Sequence, residues 1–288
     1  MLIKHITQEL VDQEITLEGW VAQTRSSGKV VFINLRDGTG FIQCVAEPQH
    51  VGQEKFDELA SLNIESALEL KGVVSKHPKK DEYELQIRSF IVYQSTKDYP
   101  LGQKEHNPDF LFDNRHLYLR SKTQRAIQRV RDTIIHATYD RMRDHDFIKI
   151  DAPIFTPNAC EGTTELYEVE HVNGEKMYLS QSGQLYIEAA IAAHARVFDF
   201  GPVFRAEKSK TRRHLNEFRM MDAEMAFCDQ EKNMQYQEQL IYYIIQEVLT
   251  KNKKDLEILE RDTKPLEAIQ LPFIRMTHDE WIDDLKAK

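Results

Sequence analysis

The sequence predicts an α+β protein in two parts, a five-stranded β-barrel followed by a domain of long helices on an antiparallel sheet. Three observations carry that prediction. Five short strand-like segments with one intervening helix occupy residues 1–96. A linker over residues 97–112 follows, with turn formers from Tyr99-Pro100-Leu101-Gly102 to Asn107-Pro108. Residues 113–288 then hold two long helical patterns and a pair of strands that mix charged and apolar residues.

In the first part, Ile15 to Gln23 alternates in polarity and contains Trp20. Lys29 to Arg36 alternates again, and Asp37-Gly38-Thr39-Gly40 supplies a hairpin turn into the strand Phe41 to Ala46. A helix is predicted over Gln53 to Leu62, and Ala67 to Ser75 and Glu82 to Tyr93 complete the set. Five short strands around one helix suit an oligonucleotide/oligosaccharide-binding (OB) barrel. The glycines at 38 and 40 mark a turn and not a dinucleotide fingerprint, because no helix or βαβ unit follows them.

In the second part, Ile127, Val130, Ile134, Ile135, Ala137, Thr138 and Met142 form an apolar stripe at helical spacing within Ser121 to Phe147. Ile148 to Thr156 is predicted as a strand broken by Pro153, and Glu231 to Thr250 as another helix. Val203 to Glu207 alternates as a half-buried strand does, Lys208 to His214 is a basic loop, and Glu217 to Phe227 returns as a second strand. That strand puts Phe218, Met220, Asp222 and Glu224 on one face. Two strands with a cationic loop at their tip make an anion clamp, since arginine offers a planar fork to phosphate or carboxylate. Charge alone leaves a second possibility open, an amphipathic hairpin whose loop is simply solvated.

Composition bounds the class. Of 288 residues, 41% are hydrophobic and 30% charged, as in a globular protein of two domains. No apolar run approaches the roughly 20 residues needed to span a bilayer. Met1-Leu2-Ile3-Lys4-His5 lacks a signal-peptide core. Cys44, Cys160 and Cys228 are far apart and show no metal-ligand or disulfide spacing, which points to reduced thiols and a cytoplasmic location. A net charge of −9 argues against a generic nucleic-acid binder. Basic residues are nevertheless clustered at Arg25 with Lys29, at His77 to Lys80, and at Lys208 to His214.

The segment Gly201 to Phe227, GPVFRAEKSKTRRHLNEFRMMDAEMAF, resembles motif 2 of the class II aminoacyl-tRNA synthetases: an arginine, a spacer, a glutamate, a loop, then His-x-x-Glu-Phe. Cys160-Glu161-Gly162-Thr163-Thr164-Glu165-Leu166 and Leu179-Ser180-Gln181-Ser182-Gly183-Gln184-Leu185-Tyr186 look like the asparaginyl family. Aspartyl relatives typically carry Ser-Pro-Gln-Leu-Tyr-Lys in the second segment, where this chain has Gly183 for the proline and Ile187 for the lysine. The helix and strand around Pro153 resemble motif 1, the dimer-forming element, over residues 121–156. The resemblance covers essentially the whole chain and its motifs occur in the family's order.

The resemblance implies an enzyme that activates asparagine with ATP and transfers it to tRNA(Asn). It implies Arg205 as the catalytic arginine bridging the α-phosphate and the amino-acid carboxylate. Glu207, His214 and Phe218 join it in binding ATP, with Phe218 stacked on adenine. Glu161, Ser182 and Gln184 fall at amino-acid-binding positions, and Asp222 is the candidate for the amide or ammonium contact. A carboxylate accepts from an amide NH2 and repels a substrate carboxylate, so Asp222 can separate asparagine from aspartate. Glu188 and Glu224 are unranked neighbours. Arg25, Phe32, Gln43, Arg212 and Arg213 are the candidates for contact with tRNA, with Phe32 either stacking on an anticodon base or facing the core.

One family feature is missing. The chain has 11 glycines, and the 87 residues after Gly201 (288 − 201) contain none. The glycine-rich motif 3 is therefore absent, and the acidic ligands of catalytic Mg2+ are expected beyond Lys288, leaving no metal ligand in this chain. The catalytic domain is expected to be incomplete, and the chain to have little activity alone. Two alternatives stand beside this expectation: a non-catalytic relative that binds tRNA or amino acid, and an aspartyl or non-discriminating aspartyl/asparaginyl enzyme.

Overall fold

The computed structural model describes residues 1–102, 105–160, 162, 165–208, 211 and 213–287. They divide into two compact units, Met1–Tyr118 and Leu119–Lys288.

In the first unit, β1 (Glu14–Ser26), β2 (Val31–Arg36), β3 (Phe41–Ala46), β4 (Ala67–Lys76) and β5 (Tyr83–Gln94) close into a barrel of order β1-β2-β3-β5-β4. Helices α1 (Pro48–Val51) and α2 (Gln53–Ser61) lie between β3 and β4 in the chain. Alternation decides what is inside. Along β2, Val31, Ile33 and Leu35 are fully buried, while Phe32 and Asn34 between them remain half-exposed. Phe32 therefore lies on the outer face of the barrel, not in its core.

The β2–β3 turn is built around Asp37, whose carboxylate accepts from the backbone N–H groups of Ile3 (2.6 Å), Thr39 (2.8 Å) and Gly40 (3.0 Å). Gly38 has φ 93°, a conformation that favours glycine. Arg36 beside it forms a bidentate pair with Glu65, at 2.6 and 2.9 Å, with both side chains buried. The unit ends in α3 (Pro108–Asp113), capped by Asn107, and α4 (Arg115–Tyr118).

The second unit begins with α5 (Lys122–Asp144), whose N-cap Ser121 accepts from the Gln124 N–H. The strand predicted over Ile148 to Thr156 is in fact two, β6 (Ile148–Lys149) and β7 (Phe155–Thr156), in different sheets. Pro153 between them has no N–H to give to a ladder, so pairing is interrupted there. β7 joins β9 (Lys176–Leu179) and β8 (Glu168–Glu170) in the order β7-β9-β8. After α6 (Gln184–His194), β10 (Arg196–Phe204) and β11 (Glu217–Met225) pair antiparallel along their whole length, and β6 joins β10 in parallel. α7 (Gln230–Lys251) packs on α5, followed by α8 (Lys253–Ile258), α9 (Lys264–Glu267) and α10 (His278–Ala287).

Two boundaries differ from the prediction. The strand expected over Val203 to Glu207 starts earlier and ends at Phe204, so Arg205 lies just past its end, with its N–H bonded to the Asn216 carbonyl at 3.0 Å. The returning strand stops at Met225, because Phe227 turns with φ 54°. The buried centre of this sheet is Met142, Phe147 and Phe198, with Tyr139, Phe200 and Tyr236 around it. Among the described residues no helix is long and apolar enough to cross a membrane.

Candidate active site and nucleic-acid interface

The β10–β11 hairpin brings Arg205, Glu207, His214 and Phe218 to one cavity of about 450 Å³. Register does this: Val203 pairs with Phe218 and Phe204 with Glu217, so the first residues past β10 face the first residues of β11. The Arg205 guanidinium sits 5.6 Å over the Phe218 ring, a cation–π contact. Asn216 braces the loop by donating to the Tyr167 hydroxyl at 2.6 Å, and Thr211 pairs with His214. Arg213, expected to meet tRNA, lies on the wall of this same cavity.

Farther along the same face of β11, Asp222 accepts from the Ser182 hydroxyl at 3.0 Å and from the Gly183 N–H at 2.9 Å. Ser182 in turn accepts from the Gln184 N–H at 3.1 Å, and the Gln184 amide donates to Glu188 at 3.0 Å. Ser182, Gln184 and Asp222 are thus one hydrogen-bonded group, and Glu188 belongs to it. Glu224, the next residue on that face, has its carboxyl held above the usual range by burial and by the charges of Glu188 and Asp222. Glu188, Asp222 and Glu224 make this a cluster of negative charge. Glu161 and Arg212 lie outside the described residues.

Asp222 stands opposite Asp199 in the register. Like charges directly across a ladder repel, and each acid here has its own counterweight. Asp199 is buried and paired with Lys149 at 3.0 Å, and Lys149 also reaches Asp151 at 2.6 Å. Burial opposes the Lys149 charge, but these two carboxylates outweigh it and raise its pKa. A Cβ at Gly183 would come within 2.5 Å of the Asp199 carboxylate. The glycine that stands where aspartyl relatives carry proline therefore meets a steric demand from the neighbouring strand. Asp199 and Lys149 do not stand out as site residues in the sequence. The signal was an acid inside the apolar run Val197-Phe198-Asp199-Phe200, which needs a buried partner.

On the barrel, Arg25 pairs with Phe32 and Phe32 with Val45, while Gln23, Asn34 and Gln43 form the adjacent cross-strand row. Arg25, Phe32 and Gln43 therefore share one outer face. Arg25 donates to Gln23 at 3.0 Å, and the Gln43 amide nitrogen donates to the buried Glu84. His77 approaches Glu84 at 3.6 Å. Glu84, also missed from sequence, fixes which end of the Gln43 amide points outward.

Comparison with known proteins adds the following. Residues 107–287 match the family of tRNA synthetases class II (D, K and N), and residues 15–93 match the OB-fold nucleic acid binding domain. An asparagine–tRNA ligase of Desulforamulus reducens is 48% identical over all of this chain, which covers 66% of that relative. One of Pelotomaculum thermopropionicum is 46% identical, again over all of this chain and 67% of the relative. The chain thus spans about two thirds of the length of the curated relatives it matches. The crystal structure of asparaginyl-tRNA synthetase from Pyrococcus horikoshii complexed with asparaginyl-adenylate superposes with a TM-score of 0.94 at 33% identity, covering 100% of this chain and 67% of that one.

Proposed function

We propose that this chain, which belongs to the class II tRNA synthetases for D, K and N and within them to the asparagine–tRNA ligase family, carries the tRNA-reading barrel and one wall of the adenylate site of an asparagine-activating enzyme. The observation that carries the proposal is the continuity of the β11 face. It runs from Phe218 in the cavity to Asp222 in the acidic recess. Four residue steps of strand separate them, roughly 13 Å at about 3.3 Å per residue. That span suits an adenine, an α-phosphate and an amino acid laid end to end.

In the first step an asparagine carboxylate oxygen attacks the α-phosphorus of ATP. The bond from that phosphorus to the β-phosphate oxygen breaks, and pyrophosphate leaves. Arg205 is positioned to bridge the two anionic reactants and to meet the charge that grows on the phosphorus. Phe218 offers its ring to adenine, Glu207 reads its edge or the tRNA end, and His214 meets the distal phosphates. The acidic recess accepts from the ammonium group and the side-chain amide of asparagine through Asp222, Ser182 and Gln184, and Glu161, outside the described residues, is assigned the same role. Ile187, fully buried, supplies no cation for an aspartate carboxylate. In the second step a terminal hydroxyl of tRNA(Asn) attacks the activated carbonyl, and AMP leaves.

Phe32 stacks on an anticodon base, Gln43 bonds a base edge, and Arg25, Arg212 and Arg213 meet RNA phosphates. The protein works in the cytoplasm as a homodimer through residues 121–156, where Ile134, Ile148, Ile154 and Phe155 are exposed apolar side chains. Among the described residues no group of three His, Cys, Asp or Glu could hold a metal ion.

The test is ATP–pyrophosphate exchange with asparagine and aspartate in parallel, on this chain and on one extended to the length of its relatives. Asparagine should be preferred by at least about tenfold, or about 1.4 kcal/mol. Equal exchange with aspartate would remove the specificity, and no exchange by the extended chain would remove the activation step.

A further inference from the structure

We propose that the cavity at the opposite end of the β10–β11 hairpin from Arg205 binds a small phosphorylated molecule. The strands are nine residues long, so the two cavities lie roughly 25 Å apart at about 3.3 Å per residue. This second cavity has a volume of about 530 Å³. Its walls include His145 past the end of α5, Arg196 at the start of β10, and Lys232, Gln235, Tyr236 and Gln239 on the first turns of α7. In a chain of net charge −9, it holds three basic side chains and no carboxylate among its described lining residues.

The cations there are under-used. Arg196 gives one hydrogen bond, to the His145 carbonyl at 2.9 Å, and lies 5.5 Å over the Tyr236 ring. Its remaining donors are available to a ligand, and stacking on the ring fixes the plane of the fork. Arg141, one turn before His145 and behind the cavity wall, donates to Gln239 at 3.1 Å, and its buried Nε has no partner among the described residues. Lys232 is exposed at the cavity mouth and forms no ion pair among the described residues. The Asp229 carboxylate on the preceding turn is spent capping α7, through the Lys232 N–H at 2.9 Å. On the same wall Gln239 accepts from Arg141 through its oxygen and keeps its amide N–H groups, while the Gln235 amide already donates to Glu231 at 3.1 Å.

The imidazole of His145 reports the same imbalance. Burial lowers its pKa first, and Arg141 and Arg196 lower it further. Asp144 and Asp146 oppose them without prevailing, and Tyr236 contributes only an edge-to-face ring contact at 5.4 Å. A phosphate in the cavity would supply the missing negative charge to Arg196 and Lys232. Cys228 and Phe227 border the opening, and Phe227 is 98% exposed, an apolar surface beside the anion site for the rest of the ligand. The recognised chemistry is phosphate, which a free metabolite or an RNA backbone could offer. A half-open cleft of this size with donors along its walls has the form of a small-molecule pocket, which favours the free molecule.

The experiment follows the His145 ring by NMR in the 288-residue chain while pyrophosphate is added, against sodium chloride at matched ionic strength. Pyrophosphate should raise the His145 pKa by on the order of one pH unit, saturably. Lys232→Glu, a surface change far from the hairpin tip, should weaken that response at least tenfold and leave the melting temperature unchanged. A short single-stranded RNA at equal phosphate concentration should shift His145 less. The proposal is overturned if pyrophosphate does no more than sodium chloride, if the shift survives Lys232→Glu, or if the RNA shifts His145 more than pyrophosphate does. Because His145 is read directly, none of these outcomes depends on the nucleotide cavity at Arg205.

Discussion

The two units solve opposite problems. The barrel of Met1–Tyr118 closes on itself, and one apolar cluster runs through all five of its strands. The face proposed to meet RNA is the outer surface of a finished core. In Leu119–Lys288 the buried centre is Met142, Phe147 and Phe198, and among the described residues β11 pairs only with β10. Its site is not on a finished surface. It is one wall, made of a hairpin whose working residues sit on a strand and just beyond a strand end. The difference teaches that rigidity and chemistry are placed separately here. On the proposed function, the barrel offers fixed positions to RNA, while the hairpin offers charge to ATP and asparagine.

The largest expected effect tests the barrel's rigidity. Arg36 and Glu65 form a bidentate pair with side chains 9% and 7% exposed, and Arg36 also lies 5.6 Å over Trp20. Arg36→Ala leaves a buried carboxylate without its cation, which costs on the order of 3–5 kcal/mol. Thermal or urea unfolding of the whole chain should show the transition of the first unit shifted down and that of the second unit unmoved. A loss below about 0.5 kcal/mol, typical of surface positions, would show that the barrel does not depend on this pair.

The second effect tests whether the hairpin is chemistry and not scaffold. Arg205→Ala removes a side chain outside any ladder, so circular dichroism should not change. Asparagine-dependent exchange in the chain extended to its relatives' length should fall by on the order of a hundredfold or more, as when one charge contact to a transition state is lost. The fall should appear in kcat. Unchanged kinetics would return the hairpin to the status of a solvated charged loop.

These two tests also mark what the sequence made legible. The barrel was readable because a strand with one buried face writes its pattern at period two, and the five strands are found close to their predicted places. Pro153 was readable because ladder interruption is a local property. Lys149, Asp199 and Glu84 were not. Each matters through a partner 50 or 41 residues away, as in Lys149 with Asp199 and Gln43 with Glu84. Sequence shows a charge in an apolar run but not the partner that the fold brings to it. The end of β10 was misplaced for a related reason: alternation continues past Phe204 although the ladder ends there.

Phe32→Ala tests the claim that the barrel's face is a ready-made platform. Phe32 is half-exposed between Arg25 and Val45, so the change removes ring area without opening the core. Affinity for tRNA(Asn) should drop by about 1–3 kcal/mol, the worth of one stacked base. Exchange in the absence of tRNA should stay at its original rate. A drop in unfolding stability as large as the drop in affinity would instead place the ring among the packing residues.

The smallest effect concerns the turn that closes the barrel. Burial pushes the Asp37 carboxyl up. The backbone N–H groups of Ile3, Thr39 and Gly40 and the Thr39 hydroxyl outweigh it and hold the pKa below 3.8. A carboxyl whose folded pKa is depressed stabilises the fold above its unfolded value. That contribution is lost as pH falls through the folded value. The first unit should therefore lose stability below about pH 4 more steeply than Asp37→Asn, which keeps an acceptor but cannot titrate. Above that pH the variant should be less stable by about 1 kcal/mol, since a neutral amide replaces a charged acceptor of three N–H groups. Parallel unfolding curves at every pH would mean that the turn is held by Gly38 and the strand register, and that the Asp37 charge adds nothing to closure.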